Sequence, residues 1–146
     1  MKKFTHFICM VLVASMFFAF PVHAQAAVEP RGSAYFDCYG AALAKVSASS
    51  FQIWFDVDSN LITMDELGVS EIVVYRSSDQ QYWTQMKTYK PDNYPQMLDY
   101  NTGSHAGYVT YDFATSGYYY TACITFYAKN STGIGEREIY TEIIRM

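Results

Sequence analysis

Residues 118–129, YYYTACITFYAK, decide the fold class of this chain. Aromatic and aliphatic side chains recur at every second position, and the positions between them are mostly Thr, Tyr and Lys. A period of two over twelve residues, rich in β-branched and aromatic side chains, predicts a long β-strand with one face in a core. A Gly-rich turn at 130–135 and a final strand at 137–144 complete a predicted hairpin.

The same signature recurs towards the N-terminus. Residues 51–57 alternate strictly, 71–76 are apolar on both faces, 82–89 run back as a hairpin partner, and 108–113 alternate again. A weaker strand is predicted at 39–46, and a short one is possible around Met97 and Leu98. Residues 64–68, MDELG, predict one helical turn that stops at Gly68. About seven short strands with regular turns indicate an all-β fold, an antiparallel β-sandwich over residues 34–146.

The N-terminus has the pattern of a secretory signal peptide. Lys2 and Lys3 precede an apolar run, and small residues follow up to Ala26. This order of charged, apolar and cleavage regions is typical of export signals, and the apolar run is short for a membrane span. We therefore predict a signal peptide at 1–26, a flexible lead-in at 27–33, and a secreted, extracellular domain that is not held in the membrane after cleavage.

Charge and cysteine content narrow the classes of partner. Without Lys2 and Lys3, 8 basic residues face 14 acidic ones, so the exported chain would have a net charge of −6. An acidic chain without a basic cluster argues against nucleic acid and against anionic membranes. Cys38 and Cys123 remain as a pair in an oxidising compartment, which favours one disulfide; two separate thiols are the alternative.

Three segments carry a likeness to known modules. The first is the strand at 51–57. The second is residues 73–83, which contain a strand, a Ser-Asp turn and a tryptophan. The third is the closing hairpin, with Tyr118 to Tyr120, Ala128, Asn130 and Gly133. In these segments the chain resembles a fibronectin type III or immunoglobulin-like module, which implies two packed sheets. It also resembles a group of small secreted bacterial proteins of unknown function that share the stretch at 64–68. Neither resemblance implies a catalytic activity, and strand parity puts Cys123 on the face away from the core.

The aromatic residues are the main functional signal. Strand parity predicts that Trp54, Tyr119 and Tyr127 point outwards, where rigid aromatic rings stack on sugars or anchor a protein partner. Cross-strand pairing that only stabilises the sheet is the structural alternative. We expect a non-catalytic protein that binds extracellular protein or glycan through its surface. A carbohydrate-binding module and an envelope-assembly component with an unpaired edge strand are the other hypotheses.

Catalytic and metal motifs are weak. Ser104 and His105 are adjacent in a Gly-flanked loop, whereas a catalytic dyad needs spatial placement and an orienting acid. Asp56, Asp58 and Asn60 have the spacing that opens a calcium loop, but the glycine and glutamate that complete an EF-hand are missing. A small hydrolase with paired carboxylates, drawn from Asp37, Glu136 and Glu138, is therefore a minor hypothesis. No cofactor is predicted.

Overall fold

The computed structural model of this chain describes residues 34–61 and 63–146. The predicted signal peptide at 1–26 and the lead-in at 27–33 lie outside the described residues. The described part forms nine strands and a short 3-10 turn at Pro95–Met97. The strands are β1 Phe36–Lys45, β2 Phe51–Ser59, β3 Met64–Ser77, β4 Thr84–Tyr89, β5 Leu98–Thr102, β6 Ser104–Tyr111, β7 Tyr119–Asn130, β8 Gly133–Tyr140 and β9 Ile144–Arg145. This all-β architecture agrees with the prediction.

The strands form two antiparallel sheets. Sheet A has three strands in the order β1-β2-β6, and sheet B has six, with β4-β3-β7-β8 as its main path. In sheet B, β5 pairs with β3 and β9 pairs with β7. Besides the seven predicted strands there are β5, which begins where a short strand was possible around Met97 and Leu98, and the two-residue β9. The closing strand predicted at 137–144 is wrong in its bounds, because β8 spans Gly133–Tyr140 and so takes up the second half of the predicted turn at 130–135.

The core lies between the inner faces of the two sheets. On β2 the odd-numbered residues Phe51 to Val57 are almost fully buried, while the even-numbered ones are exposed or half-buried. The strongest strand of the sequence, β7, contributes Tyr120, Ile124 and Phe126 to the same core, as its alternation predicts. Period-two burial on both sheets is the packing of a β-sandwich.

The helical turn predicted at 64–68 is wrong. These residues begin β3, and Gly68 pairs with Leu98 of β5 and with Tyr127 of β7. Met, Glu and Leu favour a helix locally. This preference is weak, and the backbone hydrogen bonds of β3 to β5 on one side and to β7 on the other outweigh it. Partners 30 and more residues away thus decide the conformation of the segment.

The predicted disulfide between Cys38 and Cys123 is also wrong, because both thiols are free. Cys38 lies on the outer face of sheet A, opposite Asp58. Cys123 lies on the outer face of sheet B, where it pairs with Tyr140. Packed sheets are about 10 Å apart, and a disulfide needs Cα atoms within about 7 Å. Two outward thiols on opposite sheets cannot meet.

The parts of the chain that the structure describes contain no helix long and apolar enough to cross a membrane.

Candidate functional site

An aromatic pair stands on the outer face of sheet A. Trp54 on β2 lies directly opposite Tyr108 on β6, and their ring centroids are 4.6 Å apart at an interplanar angle of 37°. Trp54 is 43% exposed and Tyr108 is 44% exposed, so each residue keeps nearly half of its surface in solvent. We call this pair the Trp54–Tyr108 platform. It is a rigid apolar surface built on two hydrogen-bonded strands.

Two local features hold the platform in place and leave it accessible. The indole Nε1 of Trp54 donates a hydrogen bond to Oε1 of Gln52, at 3.1 Å, which restricts rotation of the indole. On the β1 side, Ala42 lies opposite Trp54, and the next rung pairs Gly40 with Asp56. Small side chains at these positions leave the rings raised above the neighbouring strand.

Polar groups lie beside the platform along the same face. Gln52 and Thr110 form the rung on one side. On the other side, Asp56 lies next to Trp54 along β2, and the pair of Asp58 and Ser104 follows it. Asp56, Asp58 and Ser104 also line a shallow depression of about 450 Å³. The apolar rings are therefore flanked by hydrogen-bonding groups at both ends.

The aspartates at one end of the outer face of sheet A raise the pKa values of neighbouring groups. Burial, and after it the charge of Asp58, raises the pKa of Asp56. Cys38 Sγ donates a hydrogen bond to Oδ2 of Asp58, at 3.1 Å, and this bond is the main reason that the pKa of the thiol rises to about 11. Cys38 is therefore a neutral hydrogen-bond donor at neutral pH rather than a reactive thiolate.

One residue of the calcium hypothesis, Asn60, makes a contact outside the pair of aspartates. Asp56 and Asp58 share the outer face of β2, but the side-chain amide of Asn60 donates to the carbonyl oxygen of Ala34, at 2.9 Å. Across residues 34–61 and 63–146 there is no group of three or more His, Cys, Asp or Glu side chains placed to hold a metal ion.

The residues of the hydrolase hypothesis lie on three different strands. Ser104 and His105 are successive residues of β6 and point to opposite faces of the strand. Nε2 of His105 lies 3.0 Å from the carbonyl oxygen of Gln96. Of the carboxylates in that hypothesis, Asp37 lies on β1 of sheet A, whereas Glu136 and Glu138 lie on β8 of sheet B.

Tyr119 and Tyr127 are not part of the platform. Both lie on β7, with Tyr127 on the outer face of sheet B and Tyr119 near the end of the strand, eight residues away. At about 3.4 Å per residue this separation is roughly 27 Å. The guanidinium of Arg145 sits 5.5 Å from the ring centroid of Tyr119, and burial raises the pKa of Tyr127. These two tyrosines occupy separate, individually packed positions.

Sheet B has an apolar pocket that sequence analysis missed. Its volume is about 390 Å³, and its lining consists of Tyr75, Trp83, Thr121, Tyr140, Thr141 and Ile143. The hydroxyl of Thr121 donates to the backbone oxygen of Thr141, at 3.0 Å, so this polar group is satisfied within the wall. The pocket depends on residues 141–143, which follow β8 and have no periodic signal.

Tyr108 was also missed as the partner of Trp54. Alternation in residues 108–113 puts Tyr108 on one face, but it does not show which strand lies next to it. The pairing of β2 with β6 joins Trp54 to Tyr108, which are 54 positions apart in the sequence. The outward parity of Tyr108 on its strand is the sequence signal for this partner.

Comparison with known proteins shows a distant structural likeness. No protein family and no curated protein sequence matches the chain. Among solved structures, Spo0M, a sporulation control protein from Bacillus subtilis, matches with a TM-score of 0.42 at 9% sequence identity over 76% of this chain. The matched region is 50% of the Spo0M chain.

Proposed function

We propose that this chain is an exported, non-catalytic β-sandwich that binds glycan through the outer face of sheet A. The single observation that carries the proposal is the Trp54–Tyr108 platform, with two rings 4.6 Å apart and nearly half exposed. The fibronectin type III or immunoglobulin-like class belongs to the same proposal, and its support is the sequence likeness of the strands and the two-sheet architecture.

Aromatic rings suit sugars for a physical reason. One face of a pyranose ring presents C–H groups, which pack against the face of an indole or phenol and bury apolar surface. The rings of the platform are held by paired strands and, for Trp54, by Gln52, so little side-chain entropy is lost on binding. A preformed surface of this kind is a suitable docking site for a short run of sugar units.

The polar groups around the platform indicate the class of glycan. Gln52, Thr110 and Ser104 both donate and accept hydrogen bonds, which matches sugar hydroxyl groups. Asp56 and Asp58 are acceptors that would repel carboxylated or sulfated sugars. The face therefore favours neutral glycans, or glycans with free amino groups, over anionic ones.

Loss of either ring should weaken glycan binding. We expect Trp54→Ala and Tyr108→Ala each to weaken glycan affinity by at least about tenfold, because truncating a central aromatic anchor typically costs 2 kcal/mol or more. The measurement is a screen on an array of neutral, amino and anionic glycans, followed by titration calorimetry of the best ligand. Tyr82→Ala is the matched control, since Tyr82 is 79% exposed and lies away from this face.

Unchanged affinity in both platform variants, with native circular dichroism, would contradict the proposal. A protein partner on the same face is the alternative, because Trp and Tyr also dominate protein interfaces. This alternative predicts that the chain binds an extracellular protein, that both platform variants abolish this binding, and that free glycan does not compete with it.

The signal peptide is tested separately. Mass spectrometry of the exported chain gives the mass of the mature protein and therefore the position of its N-terminus.

A further inference from the structure

The apolar pocket on the outer face of sheet B has three aromatic walls. Tyr75 of β3 and Tyr140 of β8 stand on either side of β7, with their ring centroids 6.4 Å apart at an interplanar angle of 37°. Trp83, which directly precedes β4, is the third wall and is half-buried. The volume of about 390 Å³ lies in the usual range of small-molecule pockets. The three rings thus line a concave site, whereas the Trp54–Tyr108 platform has two rings side by side.

The threonines of the pocket already have hydrogen-bond partners in the protein. The hydroxyl of Thr121 donates to the backbone oxygen of Thr141, at 3.0 Å. The hydroxyl oxygen of Thr141 accepts the N–H of Ala122, also at 3.0 Å. Both threonines are buried, and Ile143 adds a further apolar wall. A ligand in this pocket therefore gains contacts with ring faces and apolar surface rather than new hydrogen bonds.

The three rings of the pocket carry no cation from the protein itself. In the described residues, basic side chains lie over other aromatic rings: Lys87 over Tyr89, Tyr94 and Phe113, Arg76 over Tyr118, and Arg145 over Tyr119. Across residues 34–61 and 63–146, no such contact involves Tyr75, Trp83 or Tyr140. The face of an aromatic ring attracts a cation within about 6 Å of its centroid. The pocket therefore offers three ring faces to a cation from outside.

A carboxylate adds negative charge beside the pocket. Glu138 is exposed and shares the outer face of β8 with Tyr140, two residues away. The hydroxyl of Tyr140 donates to the thiol of Cys123, which raises the pKa of this tyrosine, and the charge of Glu138 contributes to the rise. Arg137 has the opposite parity on β8, and its Nη1 donates to the backbone oxygen of Glu136, at 2.8 Å. Apolar rings beside a negative charge complement a cation that has an apolar surface.

We propose that this pocket binds a small quaternary ammonium compound of the choline type, with its methyl groups against Tyr75, Trp83 and Tyr140. The methyl groups bury apolar surface, while the ring faces and Glu138 attract the positive charge. A primary ammonium group is more strongly hydrated and suits this pocket less well. A phosphate on the ligand would face Glu138 with like charge, so the free cation is favoured over phosphocholine. The site lies on the other sheet from the Trp54–Tyr108 platform and does not depend on glycan binding.

Tryptophan fluorescence tests the ligand class. The sequence has two tryptophans, so Trp54→Phe leaves Trp83 as the only reporter. We expect choline chloride, at constant ionic strength, to change the fluorescence of this variant along a saturable curve. The neutral analogue in which a carbon atom replaces the nitrogen should bind about tenfold more weakly, and phosphocholine should also bind more weakly than choline. No saturable response to choline, or an affinity for either analogue equal to that for choline, would overturn the proposal.

Substitutions in the same background test the site. We expect Tyr140→Ala to weaken choline binding by about tenfold. Glu138→Gln should weaken it by about threefold and leave the neutral analogue unaffected, because only choline is charged. Tyr82→Ala is the matched control, since Tyr82 adjoins Trp83 and is 79% exposed but does not line the pocket. Circular dichroism confirms folding of each variant. The proposal is wrong if Tyr82→Ala weakens choline as much as Tyr140→Ala does, or if Glu138→Gln affects both ligands equally.

Discussion

At the scale of single residues, one hydrogen bond determines the chemistry of Cys38. The thiol is exposed, yet its bond to Asp58, together with nearby carboxylates, raises its pKa from 9.0 to about 11. A raised pKa means that the folded state holds the proton more tightly than the unfolded state does. The thiol therefore supports folding at pH values below 9.0, and this support is lost as the pH rises through 11.

Removing the charge at Asp58 should activate the thiol. In a Cys123→Ser background, we expect Asp58→Asn to speed alkylation of Cys38 by iodoacetamide at pH 8 by about tenfold or more, because a lower pKa gives more thiolate. The pH profile of the rate should have its midpoint near 11 in the parent and lower in the variant. Asp37→Asn is the matched control, since its charge has a smaller effect on this pKa. Equal rates in the parent and in Asp58→Asn would contradict the assignment.

At the scale of elements, close approach of backbones determines how β3 begins. Gly68 has φ +151°, and a Cβ there would overlap the carbonyl oxygen of Met97. The sequence suggested that this glycine ends a helix, which is wrong. Position 68 does require a glycine, but the requirement comes from close packing inside the sheet. It lets the 3-10 turn at Pro95–Met97 and strand β5 pack directly against β3. Local conformational preference could not reveal this, because the contact comes from Met97, which is 29 positions further along the chain.

Substitution of this glycine should be costly. We expect Gly68→Ala to lower the free energy of unfolding by about 3 kcal/mol or more, combining backbone strain with overpacking. Gly117→Ala is the control, because Gly117 also has a positive φ, +87°, but no atom lies within 4 Å of its added Cβ. Strain alone should cost that variant only about 1 kcal/mol. Urea unfolding measures both, and equal losses would show that Gly68 has no tight packing.

At the scale of the whole molecule, the two sheets are held together by packing rather than by a covalent bond. The core is continuous from Phe51 on sheet A to Ile124 on sheet B. Cys38 and Cys123 lie on the two outer faces, separated by both sheets. The predicted export to an oxidising compartment and the even number of cysteines favoured a disulfide. Neither feature says which face of a sheet a side chain occupies.

The absence of this bond can be measured directly. We expect the intact mass of the protein to show free thiols at Cys38 and Cys123, and reductant to leave its melting temperature unchanged. A disulfide closing so long a loop would stabilise the fold by roughly 4 kcal/mol, and reduction would then lower the melting temperature by many degrees. A mass lower by two hydrogens, lost on reduction, would contradict the structure.

The sequence by itself determined the fold class, the positions of β2 and β7, and the inward face of β7. These follow from period-two patterning, which is a local property of the chain. Tertiary structure decided which strands are neighbours: it brought Tyr108 to Trp54, set β5 beside Gly68, and put the two cysteines on opposite faces. Strand pairing joins residues far apart in sequence, and many registers satisfy the same alternation. Only packing of both sheets on one core selects among them.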